Sequence, residues 1–256
     1  MGETMANDEI KVKSLKKAIE VLNCFTEKEN WGITEISEKL GLYKSNVHNI
    51  LSTYKAMGYV NQNPETGLYR LDVGIFKLSR ALGMQYKIAK VALPYMQALS
   101  NKVQENVFLA IPRDDVALYM EATYPMGCTS MIREMLGMEA KMYCTGLGKA
   151  MMAYLPKNLQ EEYASRPLEA YTENTITDKE TLLEELRQTR IRGYALDNME
   201  HEFGVKCIAV PILNMDGQVI AGLSITGRAS EIDWKRENER ILLKLKECAL
   251  SIQDSM

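Results

Sequence analysis

The chain has 256 residues, 46% of them hydrophobic, and a formal net charge of −3 at neutral pH. This length suits two domains of ordinary size or one large one, and no apolar run approaches the roughly 18 residues that a membrane-spanning helix needs. The small negative charge does not by itself indicate a nucleic-acid binder. No signal peptide is evident, and the absence of a C-x-x-C pair predicts reduced thiols rather than disulfides or a zinc site. We therefore expect a cytoplasmic protein with free thiols at Cys24, Cys128, Cys144, Cys207 and Cys248.

The N-terminal part of the chain predicts three helices followed by a β-hairpin. Ser14 is the predicted N-cap of the first helix, and Thr34 and Gly41 begin and end the second. The third lies within LGLYKSNVHNILSTYKAMGYV, residues 40–60, stops at Gly58, and precedes two short strands around a Pro-Glu-Thr-Gly turn. The predicted buried faces consist of Leu15, Ala18, Ile19, Leu22 and Phe25, then Ile36 and Leu40, then Val47, Ile50, Leu51, Tyr54 and Met57.

The third helix has the features of a DNA recognition helix. It packs by one regular apolar face and carries polar side chains on its first turns, which enter the major groove in a helix-turn-helix. Carboxamides such as those of Asn46 and Asn49 read adenine, and the neighbouring basic and hydroxyl groups suit phosphates or guanine. The alternative is a small three-helix domain whose polar face is merely solvated. The candidate DNA-binding residues are Thr34, Lys44, Ser45, Asn46, His48, Asn49 and, on the hairpin, Arg70.

Helical periodicity returns between Val73 and Val103. Pro94 is predicted in the first turn of the second of two helices there, where its missing N–H costs nothing. The predicted division is a DNA-binding domain at 10–72, a connecting helix at 73–90 and a second domain at 91–254. The two apolar stripes are Ile75, Leu78 and Leu82, and Ile88, Val91, Leu99 and Val103.

Strands and helices mix in the rest of the chain. Alternating and continuous apolar runs predict strands at 106–112, 115–122, 206–213 and 219–227, the last two joined by an Asp216-Gly217 turn. Helices are predicted at 145–155, 158–165, 178–192 and 232–253. The third of these is predicted to open with a capping box from Thr177 to Glu180 and to end at Gly193. The apolar side of the last helix comprises Ile241, Leu242, Leu245, Ala249 and Ile252.

Two stretches of this second part could carry a binding or active site. MYCTGLGKAMMAYLP, residues 142–156, is glycine-rich and opens a helix, so its free backbone N–H groups could bind an anion. A strand-to-helix turn without a ligand explains the glycines equally well. RGYALDNMEHEFGVKCIAVPI, residues 192–212, gathers Asp197, Glu200, His201 and Glu202 before a strand with Cys207. These residues could equally form an ordinary solvated turn.

A cysteine hydrolase is the alternative function. Cys144 or Cys207 would be the nucleophile, His201 the base and Asp197 the orienting acid. Cys144, close to a helix N-terminus, is the better nucleophile of the two, since a cysteine within a strand is usually a small core residue.

GITEISEKLGLYKSNVHNILSTYKAMGYV followed by GLYRL resembles the winged helix-turn-helix of IclR-type bacterial transcriptional regulators. Those proteins usually read Leu-Pro-Lys-Ser-Thr-Val-His-Arg-Leu-Leu here, so Tyr43, Asn46 and Asn49 depart from the pattern. The segments TGLGKA, GYALD, GVKCIAVPI and SITG resemble the C-terminal domain of the same family. The resemblance covers about residues 12–254.

The resemblance implies a mixed α/β fold and a regulatory function. An N-terminal winged helix-turn-helix would be joined by a helix to a GAF-like α+β domain with a central antiparallel sheet. The implied partners are a double-stranded DNA operator, a small effector, often a carboxylic acid, and further copies of the chain in a homodimer or dimer of dimers. No cofactor or metal is implied. The effector would contact the backbone N–H groups of Gly146 and Leu147 and the side chains of Asp197, Cys207, Ser224 and Thr226.

Overall fold

The computed structural model describes residues 10–127, 135–230 and 234–256. It divides into two compact units, Met1–Gln85 and Tyr86–Met256. The predicted connecting helix at 73–90 corresponds to helix α4 (Gly74–Gln85) and the beginning of helix α5 (Lys87–Val103). The predicted thiol of Cys128 and the predicted start of the last helix at 232 lie outside the described residues.

The N-terminal unit is a helix-turn-helix followed by a hairpin, as predicted. Helices α1 (Lys13–Asn23), α2 (Ile33–Leu40) and α3 (Lys44–Ala56) precede strands β1 (Val60–Gln62) and β2 (Tyr69–Leu71), which pair antiparallel, and then α4. Gly41 and Gly58 end α2 and α3 in the left-handed conformation, with φ of 63° and 75°. Its buried core consists of Val21, Cys24, Phe25, Trp31, Ile36, Val47, Leu51, Tyr54, Val60 and Tyr69.

Both predicted N-caps in this unit are wrong. Helix α1 begins one residue before Ser14, and Val12 at its cap makes no side-chain hydrogen bond. Helix α2 is capped at Gly32, whose N–H donates to the Glu35 carboxylate at 2.8 Å. The acid in the first turn satisfies the free amide from inside the helix, so Thr34 has no capping role.

Some residues of the predicted buried faces are exposed. Leu15 and Ile19 on α1 are 58% and 46% exposed, because the end of that helix packs through Val21 and the 3-10 turn that follows it. Met57 lies beyond the last turn of α3 and is exposed as well. Leu78 and Leu82 on α4 are also exposed. Helical periodicity marks an apolar face but does not show what covers it.

The C-terminal unit is built on an antiparallel sheet. Its six described strands lie in the order β5 (Glu139–Lys141), β4 (Val116–Thr123), β3 (Asn106–Arg113), β8 (Val219–Arg228), β7 (Val205–Leu213) and β6 (Ala195–Asn198). Between β5 and β6 in the chain lie helices α6 (Gly146–Met152), α7 (Lys157–Ala164) and α8 (Lys179–Arg192). Helix α9 (Trp234–Gln253) follows β8. The predicted mixture of helices around a central antiparallel sheet is confirmed.

Each face of this sheet has its own core. Alternate residues of the central strands, such as Leu109, Ile208 and Leu223, pack with α5 and α9. The intervening residues, such as Phe108 and Ala209, pack with α6 and α8. Strand periodicity of two therefore determines which side chains can reach α6.

Three local predictions for this unit need correction. Pro94 lies inside α5 and not in its first turn. The helix tolerates the one backbone hydrogen bond that proline cannot make, because its apolar face is buried against the core. Asp178, not Thr177, caps α8 by accepting from the Thr181 N–H at 2.9 Å. The edge strands β5 and β6 were not predicted, since runs of three and four residues are too short to show alternation. Gly193 and Gly217, both with positive φ, end α8 and turn the β7–β8 hairpin as predicted.

Helix α6 lies very close to the backbone that precedes it. A Cβ atom at Gly148 would overlap the backbone of Met142. Thr145 caps this helix by accepting from the Gly148 N–H at 3.1 Å. The short helix is thus fixed in place by a residue without a side chain and by a hydroxyl cap.

We expect Gly148→Ala to lower the free energy of unfolding by about 2–3 kcal/mol, because rigid backbone must move to admit the methyl group. Urea unfolding followed by circular dichroism measures it. Gly83→Ala in exposed α4 is the control: no atom lies within 4 Å of its added Cβ, so a gain of up to about 1 kcal/mol is expected from helix propensity. Equal stability of both variants would contradict the close contact at Met142.

Candidate functional site

The first turns of α3 present a polar surface. Lys44, Ser45, Asn46, His48 and Asn49 are all exposed. Val47, between them, is fully buried in the core with Leu51 and Tyr54. Packing of the helix through that one face leaves the predicted DNA-reading side chains free, which is the arrangement that a recognition helix requires.

The hairpin is tied to the start of α2. Trp31 and Tyr69 form a bridge through two backbone hydrogen bonds of 2.9 and 2.8 Å, and both side chains are buried. The next residue, Arg70, points away from that core and is exposed, opposite Asn61 of β1. Thr34 is exposed on the first turn of α2. The bridge holds Arg70 in a fixed position relative to the two helices of the helix-turn-helix.

The predicted effector residues of the C-terminal unit lie on three neighbouring strands. Asp197 of β6 is opposite Cys207 of β7, which is opposite Thr226 of β8. The Ser224 hydroxyl lies 3.4 Å from that of Thr226. These groups belong to the sheet face that packs with α6.

The beginning of α6 lies directly on these strands. A Cβ atom on Gly146 would lie 2.5 Å from the Cys207 Sγ and 3.5 Å from the Asp197 Cβ. The side chain of the next residue, Leu147, is buried in the core beside Gly222. Five of the six predicted effector residues thus meet at one place, and Leu147 adjoins it through its backbone.

Asp197 is the electrostatic centre of this cluster. It is 6% exposed, and its Oδ1 accepts the Glu200 N–H at 2.8 Å. The backbone N–H groups of Gly146 and His201 lie near its carboxylate and favour the ionised form. Burial nevertheless raises the pKa of Asp197 to about 6, against the hydrogen bonds and the nearby Lys149 charge, which favour the ionised form.

The sequence reasoning missed one pair of charged residues beside this site. Lys149 Nζ lies 2.6 and 2.7 Å from the two carboxylate oxygens of Glu200, and both residues are buried. The acidic run at 197–202 is equally compatible with a solvated turn, so the sequence predicts no functional role for Glu200. A lysine set among glycine, alanine and methionine in TGLGKAMMA is the signal that could have indicated burial.

The cysteines in this region lack the features of a nucleophile. Cys144 is buried, with its Sγ 3.7 Å from the His201 Nδ1, and burial raises the pKa of Cys144 to about 12. Burial also raises the pKa of the Cys207 thiol. Both thiols therefore stay protonated near neutral pH, whereas a catalytic cysteine needs its thiolate. The four described cysteines are free, and in the described part of the chain no cluster of side chains could hold a metal ion.

Comparison with known proteins decides the family. A model of the bacterial transcriptional regulator IclR C-terminal domain matches residues 81–254, and a model of the IclR helix-turn-helix domain matches residues 14–64. The chain belongs to the IclR family. It is an IclR-family DNA-binding transcriptional regulator, and the alternative of a cysteine hydrolase is wrong, because its relatives are regulators and not enzymes.

Individual relatives match almost the whole chain. The HTH-type transcriptional regulator KdgR of Escherichia coli is 33% identical over 233 residues, which cover 91% of this chain and 88% of KdgR. The crystal structure of the Thermotoga maritima IclR is 28% identical, with a TM-score of 0.79 over 94% of this chain and 97% of that one. An IclR homologue from Microbacterium hydrocarbonoxydans, crystallised with 4-hydroxybenzoate, is 24% identical, with a TM-score of 0.83 over 94% and 98%. Within the described residues, no helix of this family member is long and apolar enough to cross a bilayer.

The raised pKa of Asp197 predicts a pH dependence of stability. The folded protein binds this proton more tightly than the unfolded chain, whose carboxyl titrates near 3.8. Stability from this group is therefore gained as the pH falls through 6 and is lost as the pH rises through 6. Relative to Asp197→Asn, wild type should gain about 2 kcal/mol in free energy of unfolding between about pH 7.5 and pH 4.5.

Urea titrations at a series of pH values measure this difference. Asp216→Asn, at the exposed β7–β8 turn, is the matched control, and its curve should run parallel to that of wild type. If the Asp197→Asn curve also ran parallel, the buried carboxyl would have no raised pKa.

Proposed function

We propose that this IclR-family regulator binds an operator through α3 and the β1–β2 hairpin, and that a small carboxylic acid bound in its C-terminal domain controls that affinity. The observation that carries the proposal is the meeting of the α6 N-terminus with a carboxyl, a thiol and two hydroxyls on β6–β8. Backbone amides and hydroxyls bind carboxylates, and a few such groups in an otherwise apolar core orient a small ligand.

On the DNA side, Asn46 and Asn49 are proposed to read base edges, since carboxamides bind adenine bidentately. The proposed phosphate and positioning contacts come from exposed groups around them, because such contacts set register without reading sequence. These are Thr34, Lys44, Ser45, His48 and Arg70.

Asn46→Ala should cost about 1–3 kcal/mol of binding to the operator and little on unrelated DNA, since it removes a base contact. Arg70→Ala should weaken binding to all sequences and reduce the slope of log affinity against log salt by about 1. Gel-shift titration with the DNA upstream of the protein's own gene, at several salt concentrations, measures both effects.

Lys102→Ala, an exposed basic position on α5 in the other unit, is the control and should bind like wild type. Equal losses on operator and unrelated DNA in the Asn46 variant would remove its base-reading role.

The chemistry of the C-terminal cluster favours a carboxylate effector. The amide groups of Gly146 and Leu147 would receive the carboxylate, with Ser224 and Thr226 as hydroxyl partners. Asp197 and Cys207 would contact the polar remainder of the molecule. The bound 4-hydroxybenzoate of the Microbacterium homologue, itself a carboxylic acid, supports this class of effector.

Association of copies is part of the proposal. Two recognition helices reach successive major grooves only when they lie about 34 Å apart, so the proposed assembly is a homodimer or a dimer of dimers. Exposed apolar side chains along α1 and α4 supply surface for such contacts; they are Ile10, Val12, Leu15, Ile19, Val73, Phe76, Leu78 and Leu82.

Effector binding at 144–148 and 197–207 would change the spacing of the paired DNA-binding domains. A coupling of about 1–3 kcal/mol would change operator affinity roughly 5–150-fold. A cytoplasmic location is part of the proposal, because the proposed operator DNA lies there.

A thermal-shift screen with pyruvate, 4-hydroxybenzoate and sugar acids tests the effector site. A ligand that binds only the folded state at 100 times its Kd stabilises it by about 2.7 kcal/mol and raises the Tm. Ser224→Ala and Thr226→Val should abolish or reduce that rise, because each removes a hydroxyl partner.

Ser165→Ala, at an exposed position at the end of α7, is the control and should keep the full shift. A carboxylate that stabilised the Ser224 and Thr226 variants as much as wild type would place the effector elsewhere.

A further inference from the structure

A fully buried ion pair joins α6 to the turn between β6 and β7. The Lys149 side chain is 1% exposed, and its Nζ donates to both carboxylate oxygens of Glu200, at 2.6 and 2.7 Å. Glu185 of α8 lies farther from the same ammonium, at 3.9 Å. Exposed pairs elsewhere in this unit, such as Arg187–Glu184, have no comparable burial.

The turn that carries Glu200 also carries the hydrogen bonds of the proposed effector site. The Glu200 N–H donates to Asp197 Oδ1 at 2.8 Å, so the residue that holds Lys149 also orients the Asp197 carboxyl. The turn passes through Met199 in the left-handed conformation, with φ of 61°. Thr172 and Thr175 fix its carbonyls, with their hydroxyls donating at 2.6 Å to Met199 O and Glu200 O.

The other end of the ion pair lies one helical turn from the effector amide. Lys149 follows Gly146 by three residues on α6, and a Cβ atom on Gly146 would lie only 3.5 Å from the Cβ of Asp197, whose carboxylate accepts from Glu200. Two contacts therefore join α6 to the 197–200 segment: the close approach of Gly146 to Asp197 at the helix start and the ion pair one turn later. Two attachment points fix both the rotation and the translation of a helix, which one cannot do.

A second set of contacts supports the pair from α8. Glu185 accepts from the Arg192 guanidinium at 2.6 Å, and Arg192 Nε donates to Tyr194 O at 2.6 Å. Tyr194 directly precedes β6. The charges around Lys149 thus extend to the strand that carries Asp197.

We infer that Lys149 and Glu200 are positioning residues of the effector site: their ion pair sets the register of α6 against the β6–β7 turn, so that the Gly146 amide and the Asp197 carboxylate meet. That this place binds an effector rests on the proposed function, whereas the register of α6 does not depend on it. Stability alone does not explain the pair, since a well-packed apolar pair of similar volume usually stabilises a core as well or better. An ion pair with two short hydrogen bonds is directional, whereas apolar packing is not. It therefore selects one register of α6 against the β6–β7 turn, because only that register satisfies both charges.

The test replaces both residues together. Lys149→Met alone should lower the Tm strongly, because it leaves Glu200 buried without a partner. Lys149→Met/Glu200→Met removes both charges and should recover most of that loss. Amide hydrogen exchange of Glu200, which donates to Asp197, and of Gly146, which lies against Asp197, should nevertheless be at least tenfold faster in the double variant than in wild type. Amides in the middle of β8 should exchange at the wild-type rate.

Binding gives the second readout, with sodium pyruvate as the probe. The rise in Tm that pyruvate produces in wild type should be lost in the double variant. Glu184→Gln/Arg187→Met, which removes the exposed ion pair on α8, is the matched control and should change neither readout. If wild type shows no rise with pyruvate but the two amides still exchange faster, the positioning role stands and pyruvate is not the effector.

Wild-type exchange rates at Gly146 and Glu200 in the folded double variant would overturn the inference and leave the pair a purely structural role. If that variant does not fold, Lys149→Met/Glu200→Gln, which keeps the size of the glutamate and is neutral, is read in the same way.

Discussion

The close approach of α6 to the sheet is the constraint on which the C-terminal domain depends. Two glycines make it possible: Gly146 faces Cys207, and Gly222 of β8 faces Leu147 and Met151 of the helix. A Cβ atom on Gly146 would lie 2.5 Å from the Cys207 Sγ, so one of the two would have to move, and a Cβ atom on Gly222 would crowd side chains of the helix at 3.0 and 3.1 Å. Gly148 instead lets the helix approach the backbone of Met142. Everything proposed for the site, from the amide contacts of Asp197 to the ion pair of Lys149, requires that short separation.

The two units place their polar groups in opposite environments. In the N-terminal unit α3 buries one face and leaves its polar face in water, so its side chains are available to a large partner such as DNA. In the C-terminal unit the polar groups of the site are buried, with Asp197, Glu200 and Ser224 among the least exposed polar residues of the described chain. Buried polar groups must satisfy each other when no ligand is present, and the hydrogen bonds around Asp197 do this.

The sequence predicted the features that depend on local pattern. The faces of α3 and α9, the glycines that end α2, α3 and α8, and the central strands all follow from periodicity or backbone conformation over a few residues. Helix caps were less predictable. The N–H of Gly32 is bound by a glutamate three residues later, and both Asp178 and the adjacent Thr177 are suitable N-caps. The Lys149–Glu200 pair could not be predicted, since the two residues are 51 positions apart and only the fold brings them together. The proposed effector residues came from family resemblance, and the structure brings five of them together.

The position of the Asp197 carboxylate beside the Gly146 N–H limits the affinity for a free carboxylate. In the protein alone, the amide proposed to receive the effector already lies beside a carboxylate that belongs to the same chain. A free carboxylate must displace this tethered anion, whose effective concentration is in the millimolar range or above because it is covalently held nearby. The observed binding free energy is then the difference between two similar interactions, so strong contacts with the effector give only a weak apparent affinity. If this place binds the proposed effector, the regulator would ignore trace amounts of it and respond only when it accumulates.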